Sequence, residues 1–194
     1  MACVHTSNKA SLNKLRTAMY NFDEKNTRNA LSYLFTPDAI VHMPWPFGDM
    51  RGPDELYYNC FAPLAKSIPD LERRDWIVVG GLTNIGDEWV GCGGHYTGTF
   101  LAPWLDIPPT GHIVHMRFHE FYKFKEGKVI EVQAIWDIPE VMMQGDCWPM
   151  APSLGREYHI PGPATLDGIV SGHWNEQKSN KSCSHIVEML EHMK

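Results

Sequence analysis

The chain has no apolar run near the roughly 18 to 20 residues that span a bilayer, and its polar opening lacks the apolar centre of a signal peptide. These absences predict a soluble, cytoplasmic protein with no membrane partner. Positive charge is scarce too: 17 Lys and Arg face 23 Asp and Glu, and a net charge of −6 repels phosphate backbones. Nucleic acid is not an expected partner. The five cysteines, Cys3, Cys60, Cys92, Cys147 and Cys183, are odd in number and far apart. Nothing in their spacing makes a zinc ribbon or a redox dithiol, so free thiols in a reducing compartment are expected. There is no Gly-rich phosphate loop, because Gly91-Cys92-Gly93-Gly94 lies inside a strand run with no helix start after it. A Gly-x-Ser-x-Gly elbow is also missing. Neither a nucleotide cofactor nor covalent catalysis is expected.

What is present is ordinary globular material: 194 residues, 43% apolar and 21% charged, enough for one domain and a tail. The pattern divides at about Pro149, giving a domain over 1–149 and an irregular tail over 150–194 that ends in a helix over 182–193. Leu12, Leu15, Ala18 and Met19 predict a helix over 11–21 with Ser11 as N-cap, and a second short helix runs through Ala30, Leu31 and Leu34. A short strand over 39–43 precedes a helix that opens at Gly52-Pro53-Asp54-Glu55 and continues to about Ile68. Pro53 suits a first helical turn. Four long strands follow, over 72–80, 88–100, 113–124 and 129–136, with a tight hairpin at Lys125-Glu126-Gly127-Lys128. Helices first and antiparallel strands after predict an α+β fold, N-terminal helices packed on a curved antiparallel sheet.

Strand alternation sorts the candidate chemistry. Val114, Met116, Phe118, Glu120 and Tyr122 share one face of the third long strand, and His115, Arg117, His119 and Phe121 share the other. Glu120 is thus an acid on an apolar face, where desolvation disfavours its charged form and suits it to proton transfer. The alternative is a salt-bridged or solvated carboxylate near a strand end. His112, His115 and His119 invite a metal, but a strand points His112 away from the other two, so no metal site is expected. His119 is instead a candidate hydrogen-bond partner of substrate or of a carboxylate. Arg117 could hold an anionic substrate group or a dimer-interface carboxylate. Tyr96, Phe118 and Trp136 are candidates to line a substrate pocket. His42 and Trp45 could line its mouth, with core packing as the plainer account of Trp45. In the tail, Ile186, Met189, Leu190 and Met193 form the apolar stripe of a helix that would dock on its own domain or on a partner subunit.

An ordered series of short motifs gives these pieces a family. From about Leu12 to Gln144 the chain runs through Pro44, Gly52-Pro53-Asp54-Glu55, Ile68-Pro69-Asp70-Leu71, the stretch Gly94-His95-Tyr96-Thr97-Gly98-Thr99-Phe100, Pro109-Thr110-Gly111, Gly127-Lys128-Val129-Ile130-Glu131, Trp136-Asp137 and Gln144. In order and spacing the series resembles the SnoaL-like polyketide (ester) cyclases of the nuclear transport factor 2-like superfamily. The resemblance implies a helix-packed cone, a small hydrophobic substrate and a homodimer through the open sheet. It also implies that Asp137 is the general acid/base of an intramolecular aldol ring closure, a reaction that side chains alone can perform. Asp137 could equally cap the helix that follows. Where the family shows Gly-Thr-His-x-Gly, this chain carries its histidine one residue early and Tyr96 takes the place, which moves the imidazole to the opposite face. Two-copy versions of the family exist, and the last helix is similar to the opening of a second copy.

Three functions remain in view: an aldol-type cyclase, a hydratase or isomerase on the same fold, and a non-catalytic module that binds an apolar ligand or a protein. The carboxylates discriminate. Glu120 or Asp137 at the bottom of an apolar cavity favours an enzyme; both consumed in caps and ion pairs favours the binding module.

Overall fold

The computed structural model describes residues 4–151, 159–166, 168–169 and 175–193. Helices come first, as α1 (Val4–Ser11), α2 (Asn13–Tyr20) and α3 (Glu24–Leu34). The helix expected over 11–21 is α2, and α1 precedes it as a further helix that the pattern did not mark. Ser11 is no N-cap; it closes α1, and its hydroxyl donates to the Ser7 carbonyl at 3.0 Å. The physical reason α1 escapes the sequence pattern is its polarity: its buried residue is Asn8, which donates to the Glu88 carboxylate at 2.7 Å. Helix α2 turns Leu15 and Met19 inward. Helix α3 starts at Asp23, whose carboxylate accepts the Asn26 N–H at 2.7 Å and satisfies one of the open N-terminal donors.

Strand β1 (Phe35–His42) pairs with a short β2 (Asp49–Arg51) that composition did not mark. Then α4 (Gly52–Leu56), a π turn (Tyr57–Phe61) and α5 (Ala62–Ser67) run on continuously, with Pro53 in the first turn as expected. The four long strands are β3 (Glu72–Leu82), β4 (Glu88–Thr99), β5 (Ile113–Lys125) and β6 (Lys128–Trp136), followed by α6 (Ile138–Gln144) and α7 (Glu176–Glu191). Helix α7 begins six residues before the expected start, because Asn175 caps it by accepting the Lys178 N–H at 2.9 Å. Its Ile186, Met189, Leu190 and Met193 are exposed.

The sheet order is β2-β1-β6-β5-β4-β3, antiparallel except where β1 lies parallel to β6. The sheet is consequently mixed, not purely antiparallel. Glu126 and Gly127 make the tight β5–β6 turn with φ of 52° and 74°, the left-handed pair that matches strand twist. The inner face of the sheet meets α2 to α5 in one core, where Phe61, Tyr96, Phe100 and Phe118 are buried. Each such side chain removed from water contributes about 1.5–3 kcal/mol.

One irregularity shapes everything near the edge strand. The β3–β4 register shifts between Asp75 and Ile77, which pair with Gly94 and Gly93, so Trp76 is an extra residue in a bulge. Arg73 and Asp75 precede the bulge and face inward beside Tyr96 and Gly94; after it, Val78 takes the inner face opposite Cys92. The exposed edge of β3 is covered in turn by the tail, since the Gly168 carbonyl accepts the Val78 N–H at 2.8 Å.

Gly94 must be glycine for a steric reason: a Cβ there would sit 2.2 Å from the Arg74 carbonyl oxygen and 2.8 Å from the Phe118 ring. Gly94→Ala is expected to lower stability by about 3 kcal/mol in urea denaturation, the upper end of overpacking. Gly81→Ala, where a Cβ meets nothing within 4 Å, is the matched control and should change stability by less than about 1 kcal/mol.

Candidate functional site

The alternation of β5 places Glu120 on the inner wall, 2% exposed, beneath Phe118 and Tyr122. Its carboxylate accepts four hydrogen bonds. Arg73 Nη1 and the Tyr122 hydroxyl each approach Oε2 at 2.5 Å, while Oε1 accepts from the Tyr96 hydroxyl at 2.8 Å and from Trp136 Nε1 at 2.9 Å. Glu120 is thus both an acid among aromatic side chains and the partner of a buried cation. Burial pushes the Tyr96 and Tyr122 hydroxyls well above the ordinary tyrosine range, so both stay protonated donors. Arg73 suffers the desolvation of complete burial, yet Asp75 and Glu120 keep its guanidinium firmly charged. Its charge also lies 4.2 Å above the Phe118 ring.

Four of the candidates drawn from the sequence, Glu120, Tyr96, Phe118 and Trp136, therefore meet in one place. The Tyr96 ring lies 4.7 Å from Phe118 and 5.2 Å from Trp136, centroid to centroid. The others lie elsewhere. Asp137 stands at the end of β6, half-buried, and caps α6 by accepting the Glu140 N–H at 3.2 Å. His119 is exposed on the outer face opposite Gly93. His42 pairs with Asp49 at 2.7 Å next to the β1–β2 turn. Trp45 is 87% exposed in that turn, so core packing of its ring is corrected: Phe47 fills the interior position instead, against Trp104 and Trp136.

A cavity of about 720 Å³ opens along β3, between α2 and tail residues 159–166 and 169. Tyr20, Trp76 and the prolines of the tail give it apolar walls, and Arg73 and Asp75 lie in its floor. Asp75 is gripped from two sides, by Arg16 Nε at 3.1 Å and by the Arg73 guanidinium, whose Nη2 is 3.1 Å away. The Asp75 side chain is only 4% exposed. Arg16, Arg73, Asp75 and Trp76 were not singled out by the sequence. The signal was hidden because Arg16 comes from α2, far from β3 in sequence, and the bulge at Trp76 breaks the period of two directly after Asp75.

The outer face carries a second polar group. His115 Nε2 lies 3.2 Å from Glu140, which also accepts the Arg117 N–H at 2.9 Å and attracts the Arg117 guanidinium at 3.7 Å. Arg117 therefore holds a carboxylate of its own chain. Gln144 braces the same strand, accepting the His115 N–H and donating to the His115 carbonyl. His95, opposite Arg117, is wholly buried under Trp76, and burial pushes its imidazole down to about 3, with His159, His115 and Arg117 adding repulsion. The thiols of Cys60 and Cys92 are pushed up to about 12 by burial, which makes neither an activated nucleophile.

The two acids should separate in stability measurements. Glu120→Gln breaks a buried ion pair and is expected to cost about 3–5 kcal/mol. Asp137→Ala loses only a helix cap, about 1 kcal/mol, and Asp137→Asn keeps the cap and should be nearly neutral. Urea denaturation of the three variants checks the order.

Known proteins place this geometry. The family model of the SnoaL-like polyketide cyclases matches residues 13–145. Among solved structures, the chain is similar to a proposed SnoaL-like polyketide cyclase from Jannaschia sp. CCS1, with a TM-score of 0.62 and 22% identity over 77% of this chain and 98% of that one. It is similar to IdmH of Streptomyces antibioticus, a proposed polyketide cyclase, with a TM-score of 0.57 and 20% identity over 71% of this chain and 96% of that one. AclR of Streptomyces galilaeus, a proposed hydroxylase, aligns with a TM-score of 0.61 and 17% identity over 77% and 91% of the two chains. No curated protein matches the chain significantly. The superpositions show the shared nuclear transport factor 2-like cone, and the family model, matching most of the chain, shows the family: the chain belongs to the SnoaL-like polyketide cyclase family.

Proposed function

We propose that the protein performs aldol-type proton-transfer chemistry on a small hydrophobic carbonyl compound bound in the cavity along β3. The observation that carries this reading is a carboxylate, Asp75, set between two guanidiniums in the floor of an otherwise largely apolar cavity. In the step we envisage, Asp75 takes a proton from carbon next to a carbonyl, and Arg16 and Arg73 stabilise the enolate oxygen. The enolate carbon then attacks a second carbonyl carbon of the same molecule, and the new alkoxide recovers the proton from Asp75. The result is an isomer with one new carbon–carbon bond. A carboxylate is a weak base, so the reaction suits a C–H already acidified by flanking carbonyl groups, as in a polyketide-like chain.

A second reading rests on a different observation. Glu120 is saturated by four donors and Asp137 is engaged in a cap, the arrangement in which both acids serve structure. That favours a module that binds an apolar ligand without transforming it. Asp75→Asn tests the two readings together, with a β-dicarbonyl compound as probe. Turnover that falls at least a hundredfold while probe binding persists supports the enzyme. Binding by the parent protein without any turnover supports the module. Asp137→Asn is the companion variant: a comparable loss of turnover there would return the acid/base role to Asp137, the role the family resemblance gives it.

The expected homodimer remains a proposal with a physical basis on the outer face. Ile77, Val79, Phe121 and Ile135 are all exposed there, with Gly91 and Gly93 on the strand between β3 and β5. Val79→Lys with Ile135→Lys should convert a dimer to a monomer in analytical ultracentrifugation; an unchanged mass would discard this surface as the contact.

A further inference from the structure

The cavity along β3 is closed by chain that lies outside the family match. That match ends at residue 145, yet His159, Pro161, Gly162, Pro163, Leu166 and Ile169 all line one side of the space. We propose that tail residues 159–166 and 169 are the specificity-determining wall of the cavity, selecting compounds that carry an apolar group beside the reacting carbonyls. This inference rests on the cavity being the place where substrate binds.

The wall is seated around Trp76, the bulged residue of β3. The Gly168 carbonyl accepts the Val78 N–H at 2.8 Å and so occupies a donor on the otherwise open edge of the sheet. Two glycines allow the close approach. A Cβ on Gly162 would lie 2.5 Å from Cδ1 of the Trp76 ring, and one on Gly168 would lie 2.6 Å from the Trp76 carbonyl oxygen. The Trp76 ring is braced by the His95 ring, 4.3 Å away between centroids. At the start of the segment His159 rests on His95 and His115, with centroids 4.7 and 4.8 Å apart. Contacts from both ends of the segment therefore converge on the bulge.

The chemistry of the wall differs from that of the floor. Arg16, Arg73 and Asp75 bring charge to the floor, where carbonyl oxygens and an acidic C–H would sit. The tail side chains that face the cavity are apolar apart from His159. Pro161 and Pro163 have a fixed φ and no N–H, so they present a stiff surface that leaves no donor unpaired beside an apolar group. A compound with nothing apolar attached to its carbonyls would gain little from such a wall. One with a ring or alkyl group would be removed from water against it.

The test compares pentane-2,4-dione with 1-phenylbutane-1,3-dione, which adds a phenyl ring to the same dicarbonyl, by calorimetric titration of the full chain. The parent protein is expected to bind the phenyl compound about tenfold more tightly, as one buried ring should provide. Gly168→Ala places a methyl group against the Trp76 carbonyl and should lift the wall. The Val78 amide then loses protection in hydrogen exchange and the preference falls about fivefold, while binding of pentane-2,4-dione changes less than about twofold. Leu166→Ala should lower the preference with the Val78 amide still protected, which separates contact from seating. Ile186→Ala, exposed on α7, should alter neither. An unprotected Val78 amide in the parent, or a preference unchanged in both Gly168→Ala and Leu166→Ala, would overturn the proposal. Binding of neither compound would remove the wall together with the role of the cavity. A parent that shows the preference without turnover keeps the wall and moves the protein to the non-catalytic reading; turnover without the preference discards the wall alone.

Discussion

The buried contact between Arg73 and Glu120 constrains the register of the sheet. A guanidinium with no exposure to water must be paired, and Glu120 is positioned to pair it across two intervening strand spacings, from β5 to the edge strand β3. A pair of this kind adds little net stability over well-packed apolar side chains, because desolvation offsets the attraction. Its effect is on register. Slipping β5 by one residue would carry Glu120 to the outer face and leave the buried Arg73 with Asp75 as its only remaining counter-ion of the two. Tyr96, Tyr122 and Trp136 complete the acceptor capacity of the carboxylate, so three aromatic side chains are oriented by the same charge.

The bulge at Trp76 converts that constraint into a site. An unbroken period of two after Asp75 would place Ile77 and Val79 inside and Val78 outside; the extra residue reverses them, leaving Ile77 and Val79 exposed. It also allows the Trp76 ring to lie over His95 on the outer side while Asp75, one residue earlier, faces the cavity. Gly94 makes the close approach possible, since any side chain there would collide with the Arg74 carbonyl. The cavity is thus a product of strand irregularity at an unpaired edge, with α2 and the tail as its other two walls.

The long strands, the hairpin at Glu126-Gly127, the Pro53 helix start and the inward face of β5 were all legible, because each rests on local signals that repeat or sit at fixed offsets. The cone itself was legible through the ordered motifs. Helix α1 was not, since its short polar sequence lacks the apolar stripe by which a helix is recognised. Strand β2 is three residues long, below the length at which alternation carries information. Alternation put Phe118, Glu120 and Tyr122 on one face of β5, as the structure has them, whereas the cavity residues Arg73 and Asp75 lie just before the bulge, and their partners Arg16 and Glu120 come from elements distant in sequence. Pairing across 47 residues, as between Arg73 and Glu120, leaves no trace in spacing.

Adjacent residues on β4 explain why one sheet carries two separate polar systems. His95 and Tyr96 are neighbours in sequence and lie on opposite faces, each drawn into a different cluster. Tyr96 joins a closed network in which every donor has an acceptor, and such a network holds a fold in place without needing anything from outside. His95 joins an open one, buried with two unused nitrogens among other imidazoles. The same desolvation that makes the first network rigid makes the second unsatisfied, because an apolar interior rewards complete hydrogen bonding and penalises its absence. The two faces of the sheet thus carry different polar systems, separated by a single step along one strand. The tail belongs to the second face: it reaches the sheet at His159 and at the Gly168 carbonyl, and lies where the cavity and the histidine cluster meet.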